Sequence, residues 1–295
     1  MKKYEYNESL NTLDIDPVYI ENGLIEAKNR NLVKIRIMPL NHYGEYGFTS
    51  SKDLYKFKLD TTYFKNYNFI KSLDLSDYIG LTDEGINGLY ELRSLEHFSF
   101  EHASVKINLT NFPLLEKLYY KYNEGTKNIS SLKNLKDLLI FSLKTKDCSY
   151  LKELHGLRML RFTRGTFSSI DGIENLKIKR LDIKYSSEIE NINAIIDLPE
   201  LEILNIEKCK KIRDYSFLDG NKSIKELFVD NLDSLSFVPT MEKLEKINVW
   251  DCKDGNMEYL LKSKSLRNIN FYPNKKHYTH TLEEIKNNGE RHHFT

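Results

Sequence analysis

The sequence predicts an α/β repeat array, in which short strands stack side by side into a parallel sheet and short turns lead from each strand to the next. Three observations support this fold class. A short apolar pattern recurs along the chain at near-regular steps. Within the pattern, apolar and polar residues alternate. The segments between its copies are too short for long helices.

The recurring pattern is L-x-x-L-x-L, in which Ile, Phe, Val or Tyr can replace Leu. Its twelve copies begin at Leu32, Leu54, Ile70, Leu95, Leu115, Leu135, Leu157, Ile178, Leu201, Ile224, Leu244 and Leu266. Apolar residues at the fourth and sixth places alternate with polar ones, as in a half-buried strand. One such strand cannot bury its inner face alone, so consecutive strands must stack in parallel over a continuous core.

The segments between copies carry a turn-like spacing. Counting from Leu135, apolar residues fall at offsets 13, 16 and 19, which are Cys148, Leu151 and Leu154. This threefold spacing suits a short 3₁₀ turn or a single helical turn. The step from Leu54 to Ile70 is the shortest between successive copies, and it is too short for a regular coil. We therefore expect an irregular or displaced repeat at that point.

These repeats resemble the leucine-rich-repeat family over residues 32–274, because the family repeat is about 20–29 residues long. The resemblance implies a right-handed solenoid with a parallel β-sheet on the concave side and short 3₁₀ or helical turns on the convex side. The array is similar to short-repeat bacterial cytosolic members. The family pattern has Asn or Cys at the ninth place, which here holds Asn123, Cys209, Cys252 and Asn274. Thr62 and Ser186 are weaker substitutes, and the other six copies depart from this rule, so the polar ladder is incomplete.

Both ends of the array carry helix signals. Asp16-Pro17 is a typical helix start, and an apolar stripe follows it, so a capping helix is expected over about residues 17–29. Thr281 to Glu284 forms a capping-box sequence, and Gly289 suits the end of a C-terminal helix. The predicted layout is an N-terminal cap over 1–31, about twelve coils over 32–274, and a C-terminal cap and tail over 275–295. These parts are expected to form one domain.

Composition excludes several classes of partner. The chain has 295 residues, with 44 Lys and Arg against 43 Asp and Glu, for a net charge of +1. This balance gives no electrostatic reason to expect nucleic acid or an anionic membrane. No apolar run approaches the ~20 residues of a membrane span, and the first residues do not resemble a signal peptide. The three cysteines form no disulfide framework, so a reducing cytoplasmic location is predicted.

Motifs for catalysis and cofactors are sparse. The sequence contains no phosphate-binding loop, nucleophile elbow or zinc-protease motif, so no cofactor is predicted. Cys252 and Asp254 form a C-x-D triplet that is similar to the nucleophile motif of leucine-rich-repeat ubiquitin ligases from bacterial effectors. Those enzymes carry the motif in a separate helical domain, whereas Cys252 occupies the ninth place of a repeat. A buried structural cysteine is therefore the preferred interpretation.

Four of the eight histidines, His277, His280, His292 and His293, lie near the C-terminal end of the sequence. The pair His277 and His280 could bring two rings together, but no acid or thiolate completes a metal site there. We expect a solvated tail and predict no metal centre.

Outward-facing strand positions give the candidate binding site. The third, fifth and seventh places of each copy should face away from the core, on the concave surface. Two apolar clusters lie among these mostly polar positions. The middle cluster comprises Tyr119, Leu139, Phe141 and Met159, beside Arg161, and the C-terminal cluster comprises Phe228, Trp250 and Tyr272. Exposed aromatic residues beside charges are typical of protein-binding surfaces. Trp250 is the expected anchor, and all eight residues are predicted to contact a partner.

Two classes of function remain open on the sequence. The first is a non-catalytic module that recognises another protein through its concave face. Such a module could be an immunity or antitoxin-like inhibitor that occludes a toxin or effector, or a defence sensor. The alternatives are a ubiquitin-ligase-like enzyme that uses Cys252 and Asp254, or a passive scaffold. The absence of catalytic motifs together with the aromatic clusters favours the non-enzymatic module, since function must be argued from the site and not from the fold.

Overall fold

The computed structural model describes residues 1–82, 86–103 and 106–289. The chain divides into two compact units, Met1–Phe141 and Ser142–Thr295. Each unit is described separately below. The predicted layout of two caps and about twelve coils in a single domain stays a prediction.

The described residues of the first unit form ten strands and two helices. The strands are β1 (Tyr4–Asn7), β2 (Thr12–Ile15), β3 (Lys34–Ile37), β4 (Phe57–Leu59), β5 (Ser72–Leu75), β6 (Ile79–Leu81), β7 (His97–Phe100), β8 (His102–Ala103), β9 (Lys117–Lys121) and β10 (Asp137–Phe141). The helices are α1 (Ile20–Asn29) and α2 (Ile86–Leu89). Strands β1, β2, β3, β5, β7, β9 and β10 are neighbours in that order. The β1–β2 pair is antiparallel, and the pairs that follow it are parallel.

The irregular step predicted near the second copy of the pattern is confirmed. The copy that begins at Leu54 contributes β4, which does not join the larger sheet but pairs with β6 in a separate three-stranded sheet. Strand β3 therefore pairs directly with β5. The second copy still supplies core residues, since the Leu59 side chain is buried. The stretch from Leu32 to Ile70 thus makes one long coil with a side sheet, instead of two coils.

The second unit is more regular. Its strands are β11 (Met159–Thr163), β12 (Arg180–Lys184), β13 (Ile203–Glu207), β14 (Glu226–Val229), β15 (Lys246–Val249) and β16 (Asn268–Phe271), and its helices are α3 (Glu258–Lys262) and α4 (Leu282–Gly289). Each strand pairs in parallel with the next. The fourth-place residues Leu160, Leu181 and Leu204 are aligned across three strands and are 0% exposed. The predicted register is confirmed for these coils.

Short turns connect the strands, as the spacing of apolar residues predicted. In the second unit, 3₁₀ turns occur at Ser149–Leu151, Asn193–Asp197, Ser216–Leu218 and Val238–Thr240. Where β13 ends, Lys208 has a left-handed backbone with φ 56°. The same conformation recurs at the eighth place of preceding copies, at Arg164 and Tyr185. This corner turns the chain away from the sheet without a glycine.

The regions expected to form caps contain the following elements. Pro17–Tyr19 is a 3₁₀ turn with Asp16 as its N-cap, and α1 follows it. At the other end Thr281 and Glu284 form the reciprocal capping box, in which each side chain accepts from the other residue's backbone N–H. Across the described parts of the chain, every helix is too short or too polar to cross a bilayer.

Candidate functional site

We define the open face of each unit as the set of side chains at the third, fifth and seventh places of its copies. Because side chains alternate along a strand, this face lies opposite the buried fourth and sixth places. Strand β11 illustrates the pattern, since Leu160 and Phe162 are fully buried whereas Met159, Arg161 and Thr163 are half-buried. The repeat therefore dictates which residues a ligand could reach.

Two aromatic rings meet on the open face of the second unit. Phe228 pairs with Asn248 in the strand register, and Trp250 lies two positions further along the chain, so Phe228 and Trp250 are diagonal neighbours. Their ring centroids are 5.4 Å apart and the ring planes meet at 87°, an edge-to-face contact. Trp250 remains 37% exposed. A large apolar surface is therefore held in one orientation and left open to solvent.

Lys208 covers part of this aromatic pair. Its Nζ lies 5.3 Å from the centroid of the Trp250 ring, within reach of a cation–π interaction. The Lys208 backbone N–H donates to Asp230 Oδ2 at 2.6 Å. Burial raises the pKa of Asp230, against the opposing effect of the Lys208 hydrogen bond and charge. The left-handed corner at Lys208 thus positions a cation over the only tryptophan in the sequence.

A hollow of about 360 Å³ lies beside the rings. It is lined by Lys184, Asn205, Glu207, Glu226, Leu227, Phe228, Lys246, Asn248 and Trp250. The charges around it are paired, with Lys184 Nζ 3.0 Å from Glu207 and Lys246 Nζ 3.2 Å from Glu226. An apolar centre within a neutralised polar rim is the arrangement found in protein interfaces.

Asparagines extend the polar part of this surface. Asn205 Nδ2 donates to Asp182 Oδ1 at 2.5 Å, and Arg180 Nε donates to the same carboxylate at 3.0 Å. Asp182 is buried by these neighbours. Further along, Asn270 Nδ2 donates to Asn248 Oδ1 at 3.4 Å. These contacts hold the polar side chains next to the rings in fixed positions.

The third member of the C-terminal cluster stands apart from the ring pair. Tyr272 directly follows β16 and is 74% exposed. Among the described residues, no ring contact joins it to Trp250. The structure therefore brings Phe228 and Trp250 together, and leaves Tyr272 as a separate exposed ring. That these three residues bind a partner stays a prediction.

The middle cluster is divided between the two units. Tyr119, Leu139 and Phe141 lie on the first unit and are half-buried, with Tyr119 beside Leu139 in the strand register. The Tyr119 hydroxyl donates to Asp137 Oδ2 at 2.5 Å. Met159 and Arg161 lie on β11 of the second unit. The binding role assigned to these five residues also stays a prediction.

The structure adds a hollow that the sequence reasoning missed. It lies on the open face of the first unit and measures about 440 Å³. Its lining consists of Leu10, Thr12, Val33, Lys34, Arg36, Lys71, Ser72, Asp74, Glu96, His97, Glu116 and Lys117. Its lining is mostly charged, so the pattern of apolar residues at outward places does not predict it. The available signal was the third-place series Lys34, Ser72, His97 and Lys117, which the register aligns strand by strand.

Cys252, the nucleophile of the enzymatic alternative, is 0% exposed. Burial, followed by the hydrogen bond to Asp254 and its charge, raises the pKa of the Cys252 thiol to about 12. The thiol donates to Asp254 Oδ1 at 3.1 Å, and His277 Nε2 lies 3.2 Å from the Cys252 carbonyl oxygen. A nucleophilic cysteine needs access and a lowered pKa, so these features favour the structural interpretation.

Within residues 1–82, 86–103 and 106–289, no group of three His, Cys, Asp or Glu side chains is arranged to hold a metal ion. His277 packs its ring against Tyr278, with centroids 4.9 Å apart, and His280 lies 3.1 Å from the Thr279 hydroxyl. His292 and His293 lie outside the described residues.

Comparison with solved structures identifies the fold. The chain is similar to an internalin, inlF, from Listeria monocytogenes, with a TM-score of 0.57 and 19% identity over 83% of this chain and 76% of that chain. Internalin C2 of the same organism gives a TM-score of 0.44 and 18% identity over 57% of this chain and 74% of that one. No protein-family model matches the chain, and no curated protein matches its sequence. The similarity to inlF, at this identity, shows the fold alone: the chain has the leucine-rich-repeat solenoid fold.

Proposed function

We propose that this chain is a protein-recognition module that binds its partner through the open face of the second unit. The observation that carries the proposal is the Phe228–Trp250 pair, which leaves Trp250 37% exposed although no fold requirement places a tryptophan at a seventh position. Aromatic residues at the centre of an interface dominate binding energies. The paired charges around the hollow would form the polar rim.

The partner's chemistry follows from this arrangement. The rings present an apolar surface, and the flanking ion pairs Lys184–Glu207 and Lys246–Glu226 are already neutralised. A partner would thus gain most by inserting an apolar or aromatic side chain beside Trp250, and least by offering charge. The asparagines Asn205 and Asn248 line the same hollow and could hydrogen-bond to a partner's backbone.

Truncation of Trp250 tests the proposal. We expect Trp250→Ala to weaken binding of a captured partner by roughly 30- to 1,000-fold, the range for a hot-spot aromatic. Its unfolding free energy should fall by about 1–2 kcal/mol, because the ring contacts with Phe228 and Lys208 are lost, and the variant should remain folded. The matched control is Ile196→Ala, because Ile196 is also exposed but lies on a 3₁₀ turn away from the open face. Equal affinity of the Trp250→Ala variant and the unmodified protein would refute the proposed site.

An independent readout comes from fluorescence. Trp250 is the only tryptophan in the chain, so the tryptophan emission reports on this position alone. A partner that covers the ring should shift the emission to shorter wavelength, because the indole leaves water. Binding without any change in emission would place the interface elsewhere on the molecule.

Two finer proposals concern the effect of binding on the partner and the location of the protein. We propose that recognition inhibits the partner by occlusion, as an immunity or antitoxin-like protein would, with a passive scaffold as the alternative. We also propose a cytoplasmic location. It is supported by Cys148, Cys209 and Cys252, which are all buried and form no disulfide bond. Assay of a captured partner's activity with and without the chain tests the first, and cell fractionation tests the second. The burial of Cys252 weighs against the ligase alternative.

A further inference from the structure

The hollow on the open face of the first unit has unbalanced charges. Most of its charged residues are paired. Arg36 forms a two-pronged ion pair with Asp14, and Lys71 Nζ lies 2.7 Å from Glu96. Glu116 forms an ion pair with Lys136, which lies outside the hollow; Lys136 Nζ is 2.7 Å from Glu116 Oε1. In the described part of the chain, three charged residues that line the hollow have no ion-pair partner, namely Lys34, Lys117 and Asp74, which leaves an excess of positive charge.

These two lysines stand at opposite ends of one row. The register aligns Lys34 with Ser72, Ser72 with His97 and His97 with Lys117. Three strand spacings separate the ends of the row, which is about 14 Å between backbones. An extended peptide rises about 3.3 Å per residue, so carboxylates at positions i and i+4 span a similar distance. The row therefore suits two anionic groups carried on one extended segment.

The middle of the row holds an unsatisfied polar atom. His97 Nδ1 lies 3.1 Å from Ser72 Oγ, and the His97 ring meets the Tyr119 ring edge-on at 5.1 Å. The other ring nitrogen, Nε2, is buried and has no hydrogen-bond partner in the described structure. A buried polar group without a hydrogen-bond partner costs free energy. A ligand that forms a hydrogen bond with His97 Nε2 would remove this cost.

We propose that this hollow is a second binding site, which takes an acidic segment of a protein with one carboxylate at Lys34, another at Lys117 and the chain between them crossing Ser72 and His97. It rests on the proposed function only in that the occupant is a protein segment. It does not depend on Trp250. The site differs from the aromatic hollow in its chemistry, since charge supplies the recognition here and apolar contact supplies it there.

Binding of the acidic segment should become tighter as the pH falls. Burial lowers the pKa of His97, and it raises the pKa of Asp74, whose carboxyl also lines the hollow. The charged groups that act on His97 are Asp74 and Asp137, which favour its protonation, and Lys34 and Lys117, which oppose it. A bound carboxylate would cancel the effect of the two lysines and favour the imidazolium. Protonation of Asp74 would remove a repelling charge, so both changes act in the same direction.

The probe is the peptide Glu-Ser-Ser-Ser-Glu with an amidated C-terminus and a zwitterionic rhodamine label, whose charge does not change between pH 6 and 7.5. The control without carboxylate side chains is Gln-Ser-Ser-Ser-Gln, labelled and amidated in the same way, and the readout is fluorescence anisotropy. We expect the double variant Lys34→Gln, Lys117→Gln to bind the acidic peptide about 10-fold more weakly, since each exposed ion pair contributes modestly. The matched control is Lys210→Gln with Lys222→Gln, which removes the same charge from exposed positions of the second unit. Thermal melts establish that each variant is folded.

Several results would overturn the site. One is an equal loss of affinity in the control variant, which would mean that net charge alone attracts the peptide. Another is equal binding of the Gln peptide. A third is binding of inorganic phosphate with the same dependence on Lys34 and Lys117, which would mean that the hollow takes any simple anion.

The last two tests are the pH dependence of peptide binding and the effect of truncating Trp250 on that binding. From about pH 7.5 to about pH 6 the peptide's glutamates stay ionised, so tighter binding at the lower pH reports on the protein. His97→Gln should reduce this tightening, and the double variant His97→Gln, Asp74→Asn should abolish it. A pH effect of unchanged size in His97→Gln would contradict the role of His97. Trp250→Ala should leave peptide binding unchanged, which separates failure of this site from failure of the proposed function.

Discussion

The strands of the two units are built from the same repeat, and yet the open faces of the two units differ in chemistry. The second unit has an edge-to-face ring pair at the centre of its open face, and the charges around it are paired. The first unit has a histidine flanked by charges at the third places of its open face, with Lys34 and Lys117 unpaired within the described residues. The inner places are apolar in both. The core therefore constrains only half of each strand, and the other half is free to specify a ligand.

The closed core of the second unit can be tested at its cysteines. Because the pKa of Cys252 is raised to about 12, its thiolate fraction near neutral pH should be roughly 1,000-fold below that of a free cysteine. We expect labelling of the folded protein by a disulfide reagent at about pH 8 to be slower by at least this factor. The denatured protein is the control, and all three thiols should react in it. Rapid labelling of Cys252 in the folded state would revive the enzymatic alternative.

The regular register of the second unit predicts a large cost for core truncation. Leu181→Ala should lower the unfolding free energy by roughly 2–5 kcal/mol, through lost burial and a residual cavity. Since each coil rests on its neighbours, hydrogen exchange should accelerate in β11 and β13 as well as in β12. Thr163→Ala, on the open face, serves as the matched control and should change stability by no more than ~0.5 kcal/mol. A neutral Leu181→Ala in denaturant melts would contradict the register.

A smaller effect should distinguish the ion pairs of the two open faces. Arg36→Ala should cost about 2 kcal/mol of unfolding free energy, because it leaves the buried Asp14 carboxylate with only neutral donors such as Thr12. Lys246→Ala breaks an exposed pair with Glu226 and should cost no more than ~0.5 kcal/mol. Denaturant melts of both variants measure the difference. Equal losses of unfolding free energy would mean that the Arg36–Asp14 pair stabilises the fold no more than the exposed Lys246–Glu226 pair does.

Much of the repeat architecture could be predicted from sequence, because the apolar places of each copy recur in the strand period. The register, the buried Leu160, Leu181 and Leu204, and the short turns are confirmed. The strands β1 and β2 were not predicted, because they are short and lie outside the repeat. The pairing of β4 with β6 also escaped prediction, since β6 lies outside the copies of the repeat pattern.

The candidate site was predictable only in part. The alternation of the strands placed Phe228 and Trp250 on the same face, which the structure confirms. It could not predict that Lys208 would cover the Trp250 ring, because that contact depends on a left-handed backbone corner with no glycine to mark it. The row from Lys34 to Lys117 was visible in the third places, but its charges resemble an ordinary solvated surface until the strands are aligned.

The uniform register of β11 to β16 has a consequence for how such a chain can change in length. Each of these strands presents the same places to both neighbours. Removal of one whole repeat, such as the stretch from Ile178 to Glu200, would let β11 meet β13 in the register it now has with β12. Gene duplications or deletions of whole repeats are therefore tolerable here. In the first unit, removal of the repeat that begins at Ile70 would take β5 from the larger sheet and β6 from the side sheet at once. Variation in repeat number should accumulate in the second unit, and with it variation in the surface that carries Trp250.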